Sequence, residues 1–558
     1  MDQMHHSSVG TGRFSRDVTG LSFIRETEQL QLADGDDLEL TISQVANRVG
    51  DDTVRMLAYN GSIPGPTLRV RQGSEIVVHV VNDGDVEATV HWHGLRLENR
   101  YDGVPHDTQK PIPIGGDFTY RVRFPDEGLY WYHPHIREDY TQDSGLYGNI
   151  VVEPADPNYW PACDRDVVLT IDDILIEEGQ ISPYDRAGPD HTAMGRFGNT
   201  FLVGGRSDWS MPAARNEVVR FYLTNTANTR VFNLAIPDAR MKLVGGDSGR
   251  YEREMFVQEV LIAPSERAVV DVMFDRAGEI ALEHHTPDRT YTLGRIVVSD
   301  GVLDPSSAAA FDELRVSPDL AAERAGLETD LAREPDKTLA LVAEMDMTQP
   351  TDDDAPPDAP RFACPMDPQI VSVEPARCPI CGMKLLPISF VPAALEALET
   401  ATSEHHPDEG HGGHAEGSIE WEDTMEEINR ATDPSNMRWI LLDRETGARN
   451  AQIDWSFTVG DRVKIRLENA MDSDHPMHHP FHIHGAGRFL VLTRAGEVEP
   501  NLVWKDTVLV RAGQTVDILL DVSNPGLWMA HCHIAEHSQS GMMFSFDVSR
   551  RDPSEVSA

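Results

Sequence analysis

One segment pattern recurs three times in this chain of 558 residues: a polar lead, an alternating run and a closing asparagine. It reads GSEIVVHVVN at 73–82, NEVVRFYLTN at 216–225 and GDRVKIRLEN at 460–469. Alternation with a period of two is typical of a strand with one buried face. Glycine and proline clusters separate many such runs, as between short strands. The recurrence therefore predicts an all-β chain with three sandwich domains of one type.

The domain boundaries follow from where the strand pattern starts and stops. We predict an N-terminal tail at 1–36 and sandwich domains at 37–155, 160–300 and 418–550. Between the second and third domains the composition changes, and we predict three segments there. These are an acidic and alanine-rich linker at 301–361 that is partly helical, a cysteine-bearing insertion at 362–388 and a histidine-rich linker at 389–417.

The charge of the chain limits its partners. The formal net charge is -44, with 92 acidic against 48 basic residues. Phosphate backbones require basic patches, so nucleic-acid binding is excluded, whereas metal cations and small neutral reductants fit. Solubility or adaptation to salt is the explanation of the charge that we prefer.

No apolar run approaches the roughly 20 residues of a membrane helix, which predicts no transmembrane segment. The first residues lack the apolar core of a secretory signal. As written, the chain is expected in the cytoplasm, and the alternative is an exported form that lacks its signal.

Ten histidines fall into four short motifs. The motifs are HWHG at 91–94, HPH at 133–135, HPFHIHG at 479–485 and HCHIAEHSQSGM at 531–542. Neutral imidazole is the commonest metal ligand, and imidazole combined with thiolate and thioether suits copper.

Strand geometry sorts these ligands into two groups, because successive side chains point to opposite faces. In HCH, the two histidines share one face and Cys532 points to the other. In HPFHIHG, His482 and His484 share a face. His479 lies three residues before His482, an odd number, so it can point to the same side as Cys532. Eight imidazoles remain, too many for one metal ion and suited to a cluster: His91, His93, His133, His135, His482, His484, His531 and His533.

The strand face that bears Cys532 and His479 is predicted to form an electron-transfer site. Beyond Cys532 the chain should turn, so that His537 and Met542 return to the cysteine's side. Two histidines, one thiolate and a weak axial methionine form an electron-transfer copper site. Cys532 is covalently adjacent to two cluster imidazoles, which gives electrons a route of roughly 10 Å of extended backbone. We therefore expect Cys532 to act in catalysis.

With these four motifs in this order, the chain resembles three-domain multicopper oxidases of the laccase type. The resemblance implies cupredoxin-like Greek-key sandwiches and four copper ions, one of type 1, one of type 2 and two of type 3. It also implies that electrons from a small-molecule or cuprous reductant reduce O2 to water. By motif, it assigns type 1 copper to His479, Cys532, His537 and Met542, type 2 copper to His91 and His482, and type 3 copper to His93, His133, His135, His484, His531 and His533.

Carboxylates near the cluster matter because O2 reduction consumes protons. The resemblance places Asp102, eleven residues after the first motif histidine, beside type 2 copper, and we expect it to be catalytic. Many bacterial relatives have a second acid immediately after the second type 1 histidine, where this chain has Ser538. Asp143 is a candidate replacement, whereas we expect Glu138 and Asp139 to be solvated loop charges.

The insertion has a second metal motif. Its CPICG element places two thiolates in a tight turn whose glycine allows close backbone approach. The segment CPMDPQIVSVEPARCPICGM resembles the heavy-metal-binding domain found beside metal transport machinery, although that family usually has histidine in place of Asp367. The resemblance allows one further metal ion, and a structural zinc turn is the alternative. The candidate ligands are Cys364, Cys378 and Cys381, with Met366 or Met383 in addition.

Flexible flanks predict an insertion that is tethered without a fixed interface and delivers cuprous ion to the type 1 side. The linker histidines either collect metal or are merely polar: His405, His406, His411 and His414. Cys163 is expected to be a buried or idle thiol.

Four functions fit copper ligands: oxidation of phenols or aromatic amines, oxidation of cuprous ion, nitrite reduction and copper storage. The insertion favours copper handling, but no methionine-rich loop accompanies the type 1 motifs, where Met477 stands alone. The HCH triplet opposes nitrite reduction, because its two histidines serve the paired type 3 ions. The cysteine link opposes storage, since storage needs no electron path.

Overall fold

The computed structural model describes residues 12–346, 362–395, 417–471 and 473–551. The first sandwich has two sheets that share one apolar core. Its strands are β1 (Gln29–Gln31), β2 (Asp37–Val49), β3 (Asp52–Tyr59), β4 (Thr67–Arg71), β5 (Glu75–Asp83), β6 (His91–His93), β7 (Asp117–Arg123), β8 (Gly128–His133) and β9 (Gly148–Glu153). The sheet orders are β1-β4-β9-β8-β6 and β3-β2-β5-β7. A short 3-10 turn (Asn99–Tyr101) and helix α1 (Glu138–Thr141) lie in its loops.

The second sandwich has a six-stranded and a five-stranded sheet. Its strands are β10 (Arg165–Ile174), β11 (Ile176–Glu177), β12 (Gln180–Ile181), β13 (Thr200–Val203), β14 (Ser210–Arg215), β15 (Glu217–Asn225), β16 (Phe232–Ala235), β17 (Arg240–Gly246), β18 (Gly249–Val257), β19 (Glu259–Ile262), β20 (Arg267–Phe274), β21 (Gly278–His285) and β22 (Thr290–Val302). The orders are β13-β10-β15-β20-β17-β18 and β14-β22-β21-β16-β19, and β11 pairs with β12.

The predicted linker at 301–361 is only partly a linker. As predicted, it is partly helical, with a 3-10 turn (Ser307–Ala310), α2 (Pro318–Gly326) and α3 (Glu328–Ala332). Strand β23 (Lys337–Met345) follows and lies inside the third sandwich. The boundary at 418 was therefore wrong, because the first strand of the third domain is separated from the rest by the insertion.

The insertion forms a three-stranded sheet of order β25-β24-β26. Its strands are β24 (Phe362–Ala363), β25 (Val371–Ser372) and β26 (Leu386–Pro387), followed by a 3-10 turn (Ile388–Phe390).

The third sandwich repeats the two-sheet arrangement. Beside β23, its strands are β27 (Met437–Asp443), β28 (Ser456–Thr458), β29 (Arg462–Asn469), β30 (His479–Ile483), β31 (Gly487–Arg494), β32 (Glu497–Val498), β33 (Thr507–Val510), β34 (Thr515–Val522), β35 (Gly526–Cys532) and β36 (Met543–Ser549). The orders are β27-β23-β29-β34-β31-β32 and β28-β36-β35-β30-β33. Helices α4 (Glu426–Arg430) and α5 (Ala535–Gln539) and a 3-10 turn (Asn450–Gln452) complete it.

The three recurring segments become equivalent strands, which confirms the predicted fold class. Strand β5 lies between parallel β2 and antiparallel β7. Strand β15 lies between parallel β10 and antiparallel β20, and β29 between parallel β23 and antiparallel β34. The same pairing in each domain shows that the sequence repeat is a structural repeat.

The closing asparagine of each repeat has one physical role. The side-chain amide of Asn82 donates to the carbonyls of Val86 and Ile112, and that of Asn225 donates to two carbonyls in the same way. The amide of Asn469 donates to the carbonyls of Met477 (2.5 Å) and Val510 (3.2 Å). Each asparagine thus joins two separate parts of the chain at the end of its strand.

The predicted N-terminal tail ends earlier than residue 36. Strand β1 pairs in parallel with β4, and Phe23 forms an isolated bridge with Ala46. This part of the chain is therefore an edge of the first sandwich rather than a tail.

The insertion docks on the third sandwich, so the prediction of a tether without a fixed interface was wrong for the described residues. The Arg377 guanidinium donates to Asp474 Oδ1 at 2.8 Å, and Lys384 Nζ donates to the Met345 carbonyl at 2.7 Å and lies 3.4 Å from Asp474 Oδ2. The buried side chains of Cys364 and Met383 belong to the apolar core of the third domain.

Cys163 packs among Val218, Met273 and Phe311. Burial raises the pKa of its thiol, which fits the predicted idle thiol. Among the described helices, none has the length and apolar character needed to cross a membrane.

Candidate metal centres

The predicted histidine cluster lies between the first and third sandwiches. In the first domain, β6 pairs with β8 and places His91 opposite His133. In the third, β30 pairs with β35 and places His482 opposite His531. The two pairs of strands meet where His93 of β6 stacks on His482 of β30, with ring centroids 3.8 Å apart. Local strand pairing thus prepares each half of the site, and domain packing joins the halves.

Within this cluster the nitrogens form three buried groups whose ligand atoms lie within 4.8 Å of one another. The groups are His91, His93 and His482; His93, His133 and His533; and His135, His484 and His531. The last two match the two predicted type 3 sets. The first contains the predicted type 2 pair.

One nitrogen of most rings is fixed by a protein acceptor. His91 Nδ1 donates to the Asp102 carbonyl (2.7 Å), His133 Nδ1 to the Pro134 carbonyl (2.8 Å) and His531 Nδ1 to the Cys532 carbonyl (2.8 Å). Such contacts set the tautomer and the orientation of a metal-binding imidazole.

The other nitrogen is left for a ligand. Within the cluster, six buried ring nitrogens have no hydrogen-bond partner among the described residues: Nε2 of His91, His133, His135, His482 and His533, and Nδ1 of His93. Buried polar atoms are normally satisfied, so six such atoms around one space fit bound metal ions. Burial also lowers the pKa of His482, His484 and His533 well below the ordinary value, which keeps these rings neutral as ligation requires.

Asp506 is a site residue that the sequence reasoning missed. Its Oδ1 accepts from His93 Nε2 at 3.0 Å, and its backbone carbonyl accepts from His482 Nδ1 at 2.9 Å. The buried Arg267 guanidinium from the second domain donates to both carboxylate oxygens, at 2.7 and 2.5 Å. In the sequence, Asp506 is simply an acid that directly precedes β33. The sequence does not show that β33 pairs with β30, which carries His482.

Gly94, the last residue of HWHG, has φ of +85°, and a Cβ there would lie 2.4 Å from Asp506 Oδ2. The glycine of this motif therefore allows the Asp506 carboxylate to approach the cluster.

Asp102 lies in the cluster as predicted and is fully buried. Its Oδ2 accepts from His484 Nδ1 at 2.8 Å, and its Oδ1 is 3.4 Å from His91 Nδ1. Burial favours the protonated carboxyl, but His484 and His91 outweigh it and hold the pKa of Asp102 below its ordinary value. Asp102 is therefore ionised, and its carboxylate orients His484 of the third domain. The catalytic role of Asp102 stays a prediction.

Glu138 and Asp139 are buried, so the prediction of solvated loop charges was wrong. Glu138 Oε1 is 2.7 Å from His135 Nδ1. Asp139 accepts two hydrogen bonds from the Arg137 guanidinium, at 2.8 and 2.7 Å. The loop after HPH folds into α1, which packs against α5 and removes both acids from water.

Asp143 and Glu536 form a second buried acidic group beside these residues. Burial raises the pKa of Asp143 to about 7, against the opposing Arg196, and the Tyr184 hydroxyl donates to Asp143. Burial also raises the pKa of Glu536 well above its ordinary value. Glu536 was not singled out from the sequence, although it precedes His537.

The type 1 group lies inside the third sandwich. His479 Nδ1 is 3.4 Å from Cys532 Sγ, and His537 Nδ1 is 3.7 Å from it. As predicted, α5 turns the chain so that His537 returns to the cysteine's side, and Met542 is buried as well. Two imidazole nitrogens and a thiol within 4.8 Å of one another suit an electron-transfer copper ion.

The type 1 group is covered by Trp439, which the sequence reasoning missed. Its ring stacks on His537 with centroids 4.0 Å apart and meets the edge of His479 at 4.8 Å. Its Nε1 donates to the Thr192 carbonyl of the second domain at 2.7 Å. Both histidines have 0% exposure, and burial lowers the pKa of each well below its ordinary value.

The insertion brings Cys364, Cys378 and Cys381 together, and Asp367 joins them. All four are buried. The structure thus supplies a fourth candidate ligand where the sequence left the choice open. The linker histidines 405, 406, 411 and 414 lie outside the described residues.

A cysteine and two histidines beside an interdomain group of eight histidines define a copper-dependent oxidoreductase on cupredoxin-like sandwiches. Residues 41–157 and 422–552 match family models described as multicopper oxidase, and residues 361–388 match one described as heavy metal binding domain.

Relatives span nearly the whole chain. Multicopper oxidase MmcO of Mycobacterium tuberculosis is 26% identical over 89% of this chain and 84% of its own length. The copper resistance protein A homolog of Pseudomonas syringae pv. tomato is 23% identical over 91% of both chains. A solved Campylobacter jejuni multicopper oxidase, described as a metallo-oxidase, has a TM-score of 0.61 and 20% identity over 96% of this chain and 98% of that one. Multicopper oxidase domains thus account for most of the first and third sandwiches, and a heavy-metal-binding domain forms the insertion.

Replacement of Cys532 by serine should abolish the blue thiolate absorption and O2 uptake together, because the predicted type 1 site would lose the thiolate that binds copper and passes on its electrons. Visible absorption and O2 uptake of the copper-loaded variant test this. Full uptake by Cys532→Ser would show that the assignment is wrong.

Asp102→Asn should slow O2 reduction by about tenfold or more, a loss of at least about 1.4 kcal/mol in transition-state stabilisation. Reduction of type 1 copper by substrate should stay unchanged, because the Asp102 carboxylate lies beside His484 and His91, both in the cluster. Stopped-flow measurement of each half-reaction separates the two effects. Equal rates of reoxidation by O2 in parent and variant would reject a role for Asp102.

Asp143→Asn should stabilise the protein increasingly as pH rises from about 4 to 8. Folded Asp143 titrates near 7 and unfolded aspartate near 3.8, so between these values only the folded state holds the proton and stability falls with pH. Asparagine removes this loss, and the thermal midpoint of the variant should gain several degrees over the parent by pH 8. A difference in midpoint that is constant across pH would contradict the raised pKa.

Proposed function

We propose that this multicopper oxidase takes single electrons from cuprous ion at the Cys532 group and uses four of them to reduce O2 to water at the interdomain cluster. The proposed type 1 ligands are His479, Cys532, His537 and Met542. The proposed type 2 ligands are His91 and His482. The proposed type 3 ligands are His93, His133 and His533 for one ion, and His135, His484 and His531 for the other.

Copper supplies the one-electron redox steps and the binding of O2 when these sites are loaded. The protein's contribution is the position of the ligands. Cys532 is flanked by His531 and His533, so one tripeptide joins the electron-accepting side to the cluster. The hydrogen bond from His531 Nδ1 to the Cys532 carbonyl (2.8 Å) holds this connection in one conformation.

The burial of the type 1 histidines supports cuprous ion over phenols as the reductant. A phenol or aromatic amine needs an exposed histidine edge to pass its electron directly. His479 and His537 have 0% exposure, Trp439 stacks on His537, and the docked insertion shares the same apolar core. A metal ion held by nearby side chains can donate an electron without a pocket for an organic ring.

The insertion supports the same reductant because it contains a group of soft sulfur ligands. Three thiols select soft monovalent copper over harder ions. The relatives described as a metallo-oxidase and as a copper resistance protein A homolog are consistent with this reductant. Docking of the insertion also outweighs the lack of a methionine-rich loop in the sequence, because it supplies sulfur ligands by another route.

Steady-state O2 uptake by one copper-loaded preparation should show kcat/KM for cuprous ion at least about 100-fold above that for 2,6-dimethoxyphenol, about 2.7 kcal/mol. Asp474→Ala should release the insertion from the type 1 side, since Arg377 and Lys384 both contact that carboxylate, and phenol oxidation should rise. Glu344→Gln is the control, because Glu344 lies on β23 and forms an exposed ion pair with Arg449, away from the insertion's contacts with Asp474.

Equal or higher kcat/KM for the phenol in the parent protein would reject cuprous ion as the preferred reductant. Unchanged phenol oxidation in Asp474→Ala would show that the insertion does not limit access to the type 1 site.

A further inference from the structure

We infer that the insertion's cage of Cys364, Asp367, Cys378 and Cys381 binds substrate cuprous ion and is the point from which its electron passes to the type 1 group. This inference rests on the proposed cuprous oxidation and goes beyond it, because it names the substrate site and the path.

The cage has the dimensions of a metal site. Cys364 Sγ lies 3.4 Å from Cys381 Sγ and 3.6 Å from Asp367 Oδ2, and Cys378 Sγ lies 3.2 Å from the same oxygen. Ligand atoms of a tetrahedral site with metal–sulfur bonds near 2.3 Å are separated by about 3.7 Å. Four buried donors at these separations can close on one ion with small movements.

The donor set suits a cuprous substrate that binds and leaves. The three sulfur atoms favour the soft monovalent ion, and the carboxylate oxygen of Asp367 is a harder ligand. After loss of an electron, the cupric ion is poorly matched to three thiolates, which favours its release. Ile380, between two of the cysteines, is 47% exposed, so the turn that holds them reaches the protein surface.

The insertion is fixed against one short segment of the third sandwich. Arg377 and Lys384 both contact the Asp474 carboxylate, and Lys384 N donates to the Asp474 carbonyl at 3.0 Å. Gly382 follows Cys381, and a Cβ placed there would lie 3.8 Å from Pro476 Cγ. The cysteine turn therefore packs directly on the segment that leads to the type 1 ligands.

That segment connects the cage to the type 1 group. Pro476 is three residues before His479, a span of roughly 10 Å at most. Asn469 fixes the segment through its hydrogen bond to the Met477 carbonyl (2.5 Å). The ring of His475 lies 5.9 Å from Trp439, which stacks on His537 at 4.0 Å. The covalent chain therefore joins the docking surface to His479, and an edge contact followed by a stacked pair of rings joins it to His537.

The electron balance is complete with the reactants already named. Each bound cuprous ion is oxidised to cupric ion and gives up one electron to the type 1 group. Four such electrons, with four protons from solvent, reduce one O2 to two water molecules, which is the oxidase activity.

The test is anaerobic bleaching of the blue absorption in stopped flow, without O2 turnover. Oxidised, copper-loaded protein is mixed with cuprous ion supplied as its acetonitrile complex, or with hexaammineruthenium(II), an outer-sphere reductant that needs no cage. Cys381→Ser should slow bleaching by cuprous ion at least tenfold and leave bleaching by the ruthenium complex unchanged. Cys163→Ser, which removes a thiol outside the insertion, is the matched control and should behave as the parent.

Asp367→Asn keeps the shape of the cage and provides a second variant if Cys381→Ser fails to fold; it should also slow the cuprous reaction alone. Equal bleaching by cuprous ion in parent and cage variants would overturn the inference but leave the proposed function standing. Slowing with both reductants would also overturn it, because the cage would then be a structural support of the type 1 group. A parent protein that cuprous ion does not bleach would refute the proposed function itself.

Discussion

The site depends on a reciprocal exchange of hydrogen bonds between the first and third sandwiches. Asp102 of the first domain accepts from His484 of the third, and Asp506 of the third accepts from His93 of the first. Arg267 of the second domain donates to Asp506, so all three domains meet at the cluster. Buried carboxylates are costly unless they are paired, and here each is paired across a domain boundary. The alignment of the two histidine halves is therefore coupled to the packing of the whole molecule.

The same constraint explains the electrostatics of the centre. Eight buried imidazoles cannot carry charge without a large desolvation cost, and burial keeps most of them neutral. Six of these eight rings each have one buried nitrogen that lacks a protein partner among the described residues. Bound metal ions would satisfy these atoms and would also compensate the carboxylates around them. Ligand binding and domain packing therefore stabilise one another.

Local pattern predicted most of the fold and the groups of histidines and cysteines in the site, but not the side chains that support them. The alternation of strand residues and the recurring asparagine predicted three equivalent sandwiches, because both are set within a few residues of chain. The HCH triplet separated Cys532 from its neighbours for the same reason. Strand β23 could not be assigned, since its partners lie beyond the insertion. Three features depend on contacts between distant segments, which sequence periodicity does not predict. They are the burial of Glu138, the hydrogen bonds of Asp506 and the stacking of Trp439 on His537.

Burial of His479 and His537 distinguishes the proposed cuprous oxidase from an enzyme whose type 1 histidine is exposed to organic reductants. Trp439 stacks on His537, and the docked insertion with its four-residue cage shares the apolar core that contains Cys532. The most direct test of the central claim is anomalous diffraction at the copper edge from crystals of the copper-loaded protein. The account predicts one copper ion bound to Cys532 and three among the eight interdomain histidines. A cluster with fewer than three copper ions, or no copper at Cys532, would contradict it.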